Sequence, residues 1–355
     1  MPSCDWSQED PWVRRLRTDF LQAKIQHCMV AGTTGSGKTT VLRYLADGFL
    51  ECSKRNTIVW FDSGKSHEIL TLAAGLSSPH PLNLILPRTM DVEIVPAEGY
   101  EFDIRKSFVK EPGEVWEKLI RSRINIVMIE PFNRRADKFA KIIKQIFSEL
   151  IENAFEYRLP TPLRLFYDEF NKIVPGKGHA LNAEHAATGA DVEYSTETIR
   201  SLGVGLVGST QGWTDCRKGV REHFTWQIVK RGCEFTRGRM SKFNSVFEKL
   251  PEEHAIIVYP NKIFSDPIHI PFYGDGEEYG SVRYVGKLTT RDDRRYEDGW
   301  MTINEFLGLP DEVEEAEVPE DEEDPGGEPA PLSPDLLTLL DPGTIQGLKN
   351  LMKGV

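Results

Sequence analysis

The chain alternates apolar runs rich in β-branched residues with segments whose apolar residues recur every three or four positions. Continuous apolar runs are typical of strands covered on both faces, and helical segments between them supply the covering layers. The pattern therefore predicts an α/β fold, with a mainly parallel central sheet flanked by helices. The predicted strands lie within residues 24–32, 57–62, 124–131, 163–170, 204–211, 226–231 and 255–260.

Two of the connecting segments carry the apolar spacing of a helix. Residues three and four positions apart share one face of a helix, so each segment can cover the sheet with an apolar face. We predict one helix after the first strand and another between the third and fourth strands. Their apolar faces consist of Val41, Leu42, Leu45 and Phe49 in the first, and Phe139, Ile142, Ile143, Ile146, Phe147 and Leu150 in the second.

A glycine-rich stretch, AGTTGSGKTT, occupies residues 31–40 directly after the first predicted strand. It fits G-x-x-x-x-G-K-[ST], which binds nucleotide phosphates when it connects a strand to a helix. Glycines let main-chain amides approach phosphate oxygens, and the positive end of the following helix faces the same anion. The pattern predicts a site for ATP and Mg²⁺, with Lys38 on the β- and γ-phosphates and Thr39 on the metal. The predicted nucleotide-binding residues are Gly32, Thr33, Thr34, Gly35, Ser36, Gly37, Lys38, Thr39 and Thr40.

Acidic and amide side chains follow later strands. The run LRLFYDEF ends in Asp168, suited to Mg²⁺, and Glu169, suited to activate the attacking water. Neighbouring side chains on a strand point to opposite faces, so this pair can act together only where the backbone turns at the strand's end. Gln211 ends the next apolar run and is our candidate for sensing the γ-phosphate or the water.

The order of these motifs resembles the FtsK–HerA superfamily of P-loop motor ATPases across residues 24–272. The resemblance rests on AGTTGSGKTT, WFDSGKSHE, NIVMIEPF, LFYDEFNKIVP, IRSLGVGLVGSTQGW and the closing KLPEEHAIIVYPNKIFSDPIHI. It implies an ASCE-type, RecA-like P-loop NTPase core that forms a homo-oligomeric ring, a hexamer, and moves double-stranded DNA by ATP hydrolysis. It also implies that Arg200 acts on the nucleotide of a neighbouring subunit, with Arg231 as the reserve candidate. Asp62, with Glu68 six residues on, matches an acidic position of the family after its second strand, and it either tunes the water network or caps the strand end.

The short segment before residue 32 has no room for the barrel of HerA helicases or the membrane helices of FtsK. The chain is therefore most similar to minimal virus-type genome-packaging ATPases and their HerA-like relatives. Two alternatives stay open within the superfamily, a HerA-like DNA-processing translocase and a conjugation-type ATPase. A third is a nucleotide-dependent switch that recruits protein partners through its tail, and DNA-stimulated turnover would separate it from a motor.

The net charge of −12 is concentrated near the carboxyl end, because residues 310–328 carry eleven acids and no base. Such a composition is typical of a disordered segment. We predict an ATPase domain at 1–274, a small appendage at 275–309, a disordered acidic linker at 310–332 and a short terminal helix at 333–355. The tail is a solvating segment, a docking peptide for a partner, or a segment that competes with DNA for basic patches.

The remaining charge includes two candidate DNA-binding segments. Residues 214–242 hold eight bases against three acids, and phosphate neutralisation supplies most of the affinity of non-specific DNA binding. The alternative is a solvated face or a subunit contact. The polar loop 175–197, with Lys177 and His179, is the second candidate, whereas we expect Arg134, Lys138 and Lys141 to face solvent or an interface. The eight bases are Arg217, Lys218, Arg221, Lys230, Arg231, Arg237, Arg239 and Lys242.

Other site chemistries find little support in the sequence. Five cysteines form no CxxC pair, and His179, His185 and His223 lack metal-ligand spacing, so magnesium is the only metal predicted. The amino-terminal segment lacks the apolar core of a signal peptide, and no apolar run is long enough to span a membrane. We therefore expect a cytoplasmic protein, or one in the host cytoplasm or at the virion vertex if the gene is viral.

Overall fold

Twelve strands are present among the residues that the computed structural model describes, which are 10–23, 25–62, 68–88, 90–129, 136–176, 178–180, 182–236 and 239–286. The predicted acidic linker, the terminal helix and residues 287–309 lie outside this part of the chain. The strands are β1 (Cys28–Ala31), β2 (Thr57–Asp62), β3 (Leu82–Pro87), β4 (Met90–Pro96), β5 (Ile104–Val109), β6 (Ile124–Met128), β7 (Leu163–Tyr167), β8 (Val204–Thr210), β9 (Trp226–Val229), β10 (His254–Val258), β11 (Ile268–His269) and β12 (Gly280–Gly286).

The helices connect these strands and cover the sheet. They are α1 (Pro11–Leu16), α2 (Lys38–Cys52), α3 (Glu68–Leu70), α4 (Ala136–Phe155), α5 (Ala183–Ile199), α6 (Lys218–His223) and α7 (Asn244–Glu248). Two π-helical segments follow α1 and α3, at Arg17–Leu21 and Thr71–Gly75. Short 3-10 segments lie at Pro112–Lys118, Phe170–Lys172, Arg200–Leu202, Trp213–Asp215, Arg239–Phe243 and Gly276–Glu278. Among the described residues, no helix combines the length and the apolar character needed to cross a membrane.

Ten strands form one sheet in the order β11-β10-β9-β1-β8-β7-β2-β6-β3-β5. Every neighbouring pair from β9 to β5 is parallel, and β10 and β11 extend the sheet in antiparallel fashion. All seven predicted strands are present in it. The predicted α/β class, with a mainly parallel sheet flanked by helices, is confirmed.

Apolar side chains cover both faces of the sheet. The predicted apolar face of α2 is buried in a cluster that also holds the side chains of Ile58, Trp60 and Phe166. The predicted face of α4 is buried in the cluster on the other side, with residues of β6 and β7 and with Val192 of α5. Each such side chain contributes roughly 1.5–3 kcal/mol when it is fully buried. The two helices therefore hold the sheet from opposite sides, as the spacing predicts.

Residues 82–109 add three strands to the seven predicted ones, and one of them, β3, is an apolar run that is buried throughout. β3 and β5 extend the sheet beyond β6, and β4 pairs with β12 in a separate antiparallel pair running from Met90 opposite Gly286 to Pro96 opposite Gly280. The edge strand β5 is partly exposed, so it lacks the continuous apolar run of a central strand. Residues 280–286, within the predicted appendage, thus form a strand.

The order of the central strands positions the candidate site. Because β9, β1, β8 and β7 are parallel neighbours, their carboxyl ends meet at one edge of the sheet. In α/β sheets, this is the edge at which ligands bind. β8 lies between β1, which leads into the glycine-rich loop, and β7, which leads into Asp168 and Glu169.

Candidate functional site

The glycine-rich loop connects β1 to α2, as the P-loop pattern requires. Gly35 and Gly37 have φ angles of 76° and 82°, a left-handed conformation that favours glycine. A Cβ on Gly32 would lie 2.6 Å from the Cβ of Lys230 and 2.7 Å from Ser36 Oγ, too close for any other residue. The loop therefore depends on its glycines for both backbone angles and space.

Polar groups of this loop fit a phosphate ligand. The hydroxyl of Ser36 is buried and has no hydrogen-bond partner among the described residues. Lys38 Nζ donates to the carbonyl oxygen of Thr33 at 2.9 Å, so the ammonium folds over the loop. The first amides of α2 have no acceptor within the helix, as at any helix start. A polyphosphate would supply the acceptors that these groups need.

A threonine hydroxyl and an aspartate carboxylate meet at the start of α2. Thr39 Oγ1 donates to Asp168 Oδ2 at 2.7 Å, although 129 positions separate the two residues in the chain. The hydroxyl of Ser209, near the end of β8, donates to Asp168 Oδ1. Mg²⁺ prefers oxygen ligands and is usually held by one or two carboxylates together with substrate phosphates. Thr39 and Asp168 fit that ligand set.

Glu169 occupies the turn directly after β7. Its φ of 57° is left-handed, and its amide donates to Asp168 Oδ1 at 3.1 Å and to Ser209 Oγ at 3.0 Å. The backbone therefore turns at the point where the carboxylate pair needs it to turn. The side chain of Glu169 accepts from Gln211 Nε2 at 3.5 Å and pairs with Lys172. The structure brings Asp168, Glu169 and Gln211 to one edge of the sheet.

Two further residues near these carboxylates are not indicated by the sequence motifs. Lys172, the last residue of the 3-10 segment that begins directly after Glu169, pairs with the Glu169 carboxylate. The hydroxyl of Tyr167 is buried without a partner in the described part of the chain. Burial, and then the charges of Glu169, Asp168 and Asp62, raise the pKa of Tyr167 well above its usual value. This phenol therefore stays neutral beside the carboxylate cluster.

Glu68 forms an ion pair that its sequence position does not reveal. Glu68 is buried, and its Oε1 lies 3.9 Å from Nη2 of Arg43. Arg43 is on α2, one turn after Thr39. Burial lowers the pKa of Arg43, whereas the nearby carboxylates of Glu68 and Asp168 act in the opposite direction. Asp62 is buried at the end of β2, which matches its predicted place after that strand.

Arg200 lies away from the glycine-rich loop of its own chain. It is exposed in the 3-10 segment before β8, whereas Gln211 follows the last residue of that strand. Seven strand residues at about 3.3 Å each separate the two ends by roughly 23 Å. A direct contact of Arg200 with a nucleotide would therefore have to be made in another copy of the chain.

The turn after β9 packs against the glycine-rich loop. The carbonyl oxygen of Arg231 accepts from both the amide and the hydroxyl of Thr33 at 3.1 Å, and the Arg231 guanidinium pairs with Glu252. Lys230 is 1% exposed and its ammonium donates to the carbonyl oxygen of Glu252. The sequence places Lys230 in a basic DNA-binding stretch, but its burial removes it from such a surface.

A cavity of about 850 Å³ brings together parts of the two predicted DNA-binding segments. We call it the basic cleft, and its lining includes His179, Glu193, Arg217, Lys218 and Arg221. Arg217 pairs with Glu193, and the Lys218 side chain is 82% exposed, with Glu222 at 3.6 Å. Arg221 Nε is buried and has no partner among the described residues. The cleft thus offers positive charge that its own acids only partly compensate.

The walls of the basic cleft are joined to each other by main-chain hydrogen bonds. The amide of Gly176 donates to the carbonyl oxygen of Asp215 at 2.6 Å, and the amide of Arg217 donates to that of Val174 at 2.9 Å. The predicted residues Lys177, Arg134 and Arg237 lie outside the described residues. Lys141 is exposed, as predicted.

No family model and no curated protein matches the chain, whereas solved structures do. One similar structure is the genome-packaging NTPase B204 of Sulfolobus turreted icosahedral virus 2 with AMPPCP, at 14% identity and a TM-score of 0.42 over 70% of this chain and 100% of that one. Another is EssC (ATPases 2 and 3) from Geobacillus thermodenitrificans, at 14% identity and a TM-score of 0.38 over 71% and 40% of the two chains.

A third similar structure is the pCW3 conjugation coupling protein TcpA with ATPγS, at 15% identity and a TM-score of 0.36 over 72% of this chain and 62% of that one. A viral packaging NTPase and a conjugation protein are thus both among the structures that the chain is similar to. The glycine-rich loop between β1 and α2, and β8 between the two motif-bearing strands, are features of this chain itself. By these features, the chain has the fold of a P-loop NTPase.

Proposed function

We propose that the chain binds ATP with Mg²⁺ and hydrolyses it. The observation that carries this proposal is the meeting of Thr39, Asp168, Glu169 and Gln211 beside the P-loop, linked by hydrogen bonds of 2.7 to 3.5 Å. A glycine turn with no ligand would not require a carboxylate pair at the end of β7, which is separated from β1 by β8 in the sheet. The similar structures with AMPPCP and ATPγS agree with a nucleotide ligand.

Each residue has a distinct part in the proposed reaction. Lys38 and the amides of residues 32–40 bind the phosphates, and Thr39 with Asp168 would hold Mg²⁺, which neutralises developing charge on the β- and γ-phosphate oxygens. Glu169 takes the proton of the attacking water, and Gln211 orients that water through its amide. The hydrogen bonds from Ser209 and from the amide of Glu169 fix the Asp168 carboxylate.

We also propose that hydrolysis drives double-stranded DNA through a ring of six copies, as in genome packaging. The basic cleft supports this proposal through its position. One wall, residues 175, 176 and 178–180, lies a few positions after the turn that carries Glu169, and the other, residues 214–221, lies a few positions after Gln211. A change at the γ-phosphate would therefore reach both walls along short segments of main chain. The exposed charge of Lys218 suits a phosphodiester backbone, and the guanidinium of Arg221 adds a second positive charge to the lining of the cleft.

Long duplex DNA is expected to raise the rate of ATP hydrolysis several-fold at low salt, because the two sites share the segments just described. The variant Lys218→Gln/Arg221→Gln should lose most of this stimulation, bind duplex DNA more weakly and show a shallower dependence of affinity on salt, by about one unit of slope per lost phosphate contact. Turnover and DNA affinity would be measured across a salt series.

The matched control is Lys54→Gln/Lys141→Gln, which removes the same charge from two exposed lysines away from the cleft. It should behave as the wild type does. A wild-type rate of ATP hydrolysis that is the same with and without duplex DNA at low salt would contradict the motor proposal. It would not contradict the proposal that the chain hydrolyses ATP. Equal losses in the cleft variant and the control would show that general surface charge binds DNA, and would contradict the cleft.

Arg200→Ala is expected to bind ATP but to hydrolyse it slowly, because in the proposed ring Arg200 stabilises charge on the nucleotide of the neighbouring subunit. Mixing this variant with Glu169→Gln subunits should restore part of the turnover, since some interfaces then combine an intact Arg200 with an intact Glu169. ATPase activity of the mixtures would be measured over a range of ratios. Mixtures that never exceed the activity of either parent would contradict a role across an interface.

A further inference from the structure

The side chain of Lys230 packs along the P-loop. It follows β9, and its amide donates to the carbonyl oxygen of Ala31 at 2.8 Å, which aligns it with the start of the loop. Its Cβ lies 2.6 Å from the place that a Cβ on Gly32 would take. Its Cε and Nζ lie 3.5 Å from the place of a Cβ on Gly37. The side chain therefore spans the loop from its first glycine to its last.

Burying the positive charge of Lys230 at this position costs free energy. The residue is 1% exposed, and its ammonium makes one hydrogen bond within the described part of the chain, to the backbone oxygen of Glu252, although an ammonium can donate three. A methionine or leucine would fill the same space without the cost of burying a charge. A lysine at this position therefore indicates an interaction with negative charge.

The protein groups around this ammonium compensate its charge only in part. Burial lowers the pKa of Lys230 to about 8, Glu252 and Glu253 raise it, and Arg231 lowers it further. The side chain of Glu252 is itself paired with Arg231. A nucleotide polyphosphate bound in the P-loop would supply the negative charge that the protein groups around the Lys230 ammonium do not.

We propose that Lys230 is a second lysine of the nucleotide site, a positioning residue that braces the P-loop between Gly32 and Gly37 and stabilises the charge of the bound phosphates. This inference rests on the proposed binding of ATP. Lys230 acts through the loop, whereas Lys38 binds the phosphates directly. A purely structural role, in which the ammonium only holds the turn at Glu252, predicts a different result in the following test.

The test compares Lys230→Met, which removes the charge, with Lys230→Arg, which keeps it, in the full-length chain. Lys249→Met is the matched control, because this lysine is exposed in the same connection between β9 and β10. The affinities for fluorescent analogues of ATP and ADP are measured by titration, and melting temperatures are measured with and without each nucleotide. Lys230→Gln replaces the methionine variant if the latter does not fold.

We expect Lys230→Met to weaken ATP binding by roughly tenfold, less than the loss of a direct contact with the phosphates, because its charge acts across the loop. The loss should be larger for ATP than for ADP, because ATP carries the greater charge. The melting temperature without nucleotide should change little, and its rise on adding ATP should shrink. Lys230→Arg should restore most of the affinity, and Lys249→Met should match the wild type.

Two results would overturn the inference alone. One is wild-type affinity in Lys230→Met together with lost binding in Lys38→Ala. The other is a large fall in the melting temperature without nucleotide, an equal loss for ATP and ADP, and no rescue by arginine, which would assign Lys230 a structural role. If the wild-type chain binds neither nucleotide, the proposed function fails, and the inference fails with it.

Discussion

Replacing Glu169 by glutamine is expected to lower the rate of ATP hydrolysis by roughly 10²- to 10⁴-fold, the usual contribution of a general base. Glutamine has nearly the same shape as glutamate, so the left-handed turn and the contact with Gln211 can persist. What is lost is the carboxylate that takes the proton from water. ATP affinity should stay close to that of the wild type, because the phosphate-binding groups belong to another segment. Steady-state turnover and equilibrium binding measure the two effects separately.

The matched control is Glu197→Gln, which removes one exposed carboxylate from α5. Its turnover should equal that of the wild type. A Glu169→Gln chain that hydrolyses ATP at the normal rate would show that another group activates the water. Tyr167 does not supply a second base, because its raised pKa keeps the hydroxyl protonated.

Replacing Lys38 by alanine is expected to weaken ATP binding by roughly 30-fold to several thousandfold, the range for removing one partner of a buried charge pair. The substitution removes the ammonium that folds over the loop beside the Thr33 carbonyl oxygen. The loop backbone should keep its form, because its shape depends on the glycines and on the hydrogen bonds to β8 and to the turn after β9. Titration with an ATP analogue measures the loss.

Lys54→Ala is the control for this change, because it removes an exposed lysine at the opposite edge of the sheet. The melting temperature of Lys38→Ala without nucleotide checks that the fold is intact. Near-normal ATP affinity in a folded Lys38→Ala chain would contradict the assignment of residues 32–40 as the phosphate site. It would also remove the basis for the role of Lys230.

Central elements of the fold could be predicted because their residues are buried on both sides. Strands such as β2 and β7, and the apolar faces of α2 and α4, appear in the sequence as continuous or periodic apolar positions. The edge strand β5 is mostly exposed or half-buried, and β4 pairs with a strand nearly two hundred positions away. Such pairings depend on tertiary contacts, so the local pattern does not indicate them.

The main parts of the candidate site could also be predicted, because each follows a strand in a chemically distinctive motif. The sequence could not show which charged residues are buried. Because lysine is rarely buried, the sequence suggests that Lys230 is an exposed member of a basic run. In the structure, Lys230 is instead buried against the P-loop. Likewise, the pairing of Glu68 with Arg43 and of Glu169 with Lys172 depends on how distant or turning segments meet.

The described residues of both walls of the basic cleft lie close along the chain to Glu169 and Gln211, and the walls are hydrogen-bonded to each other. A small shift at either strand end would therefore move a wall directly through the main chain. Under the proposed function, local movements of these loops would therefore carry each turnover to the bound duplex.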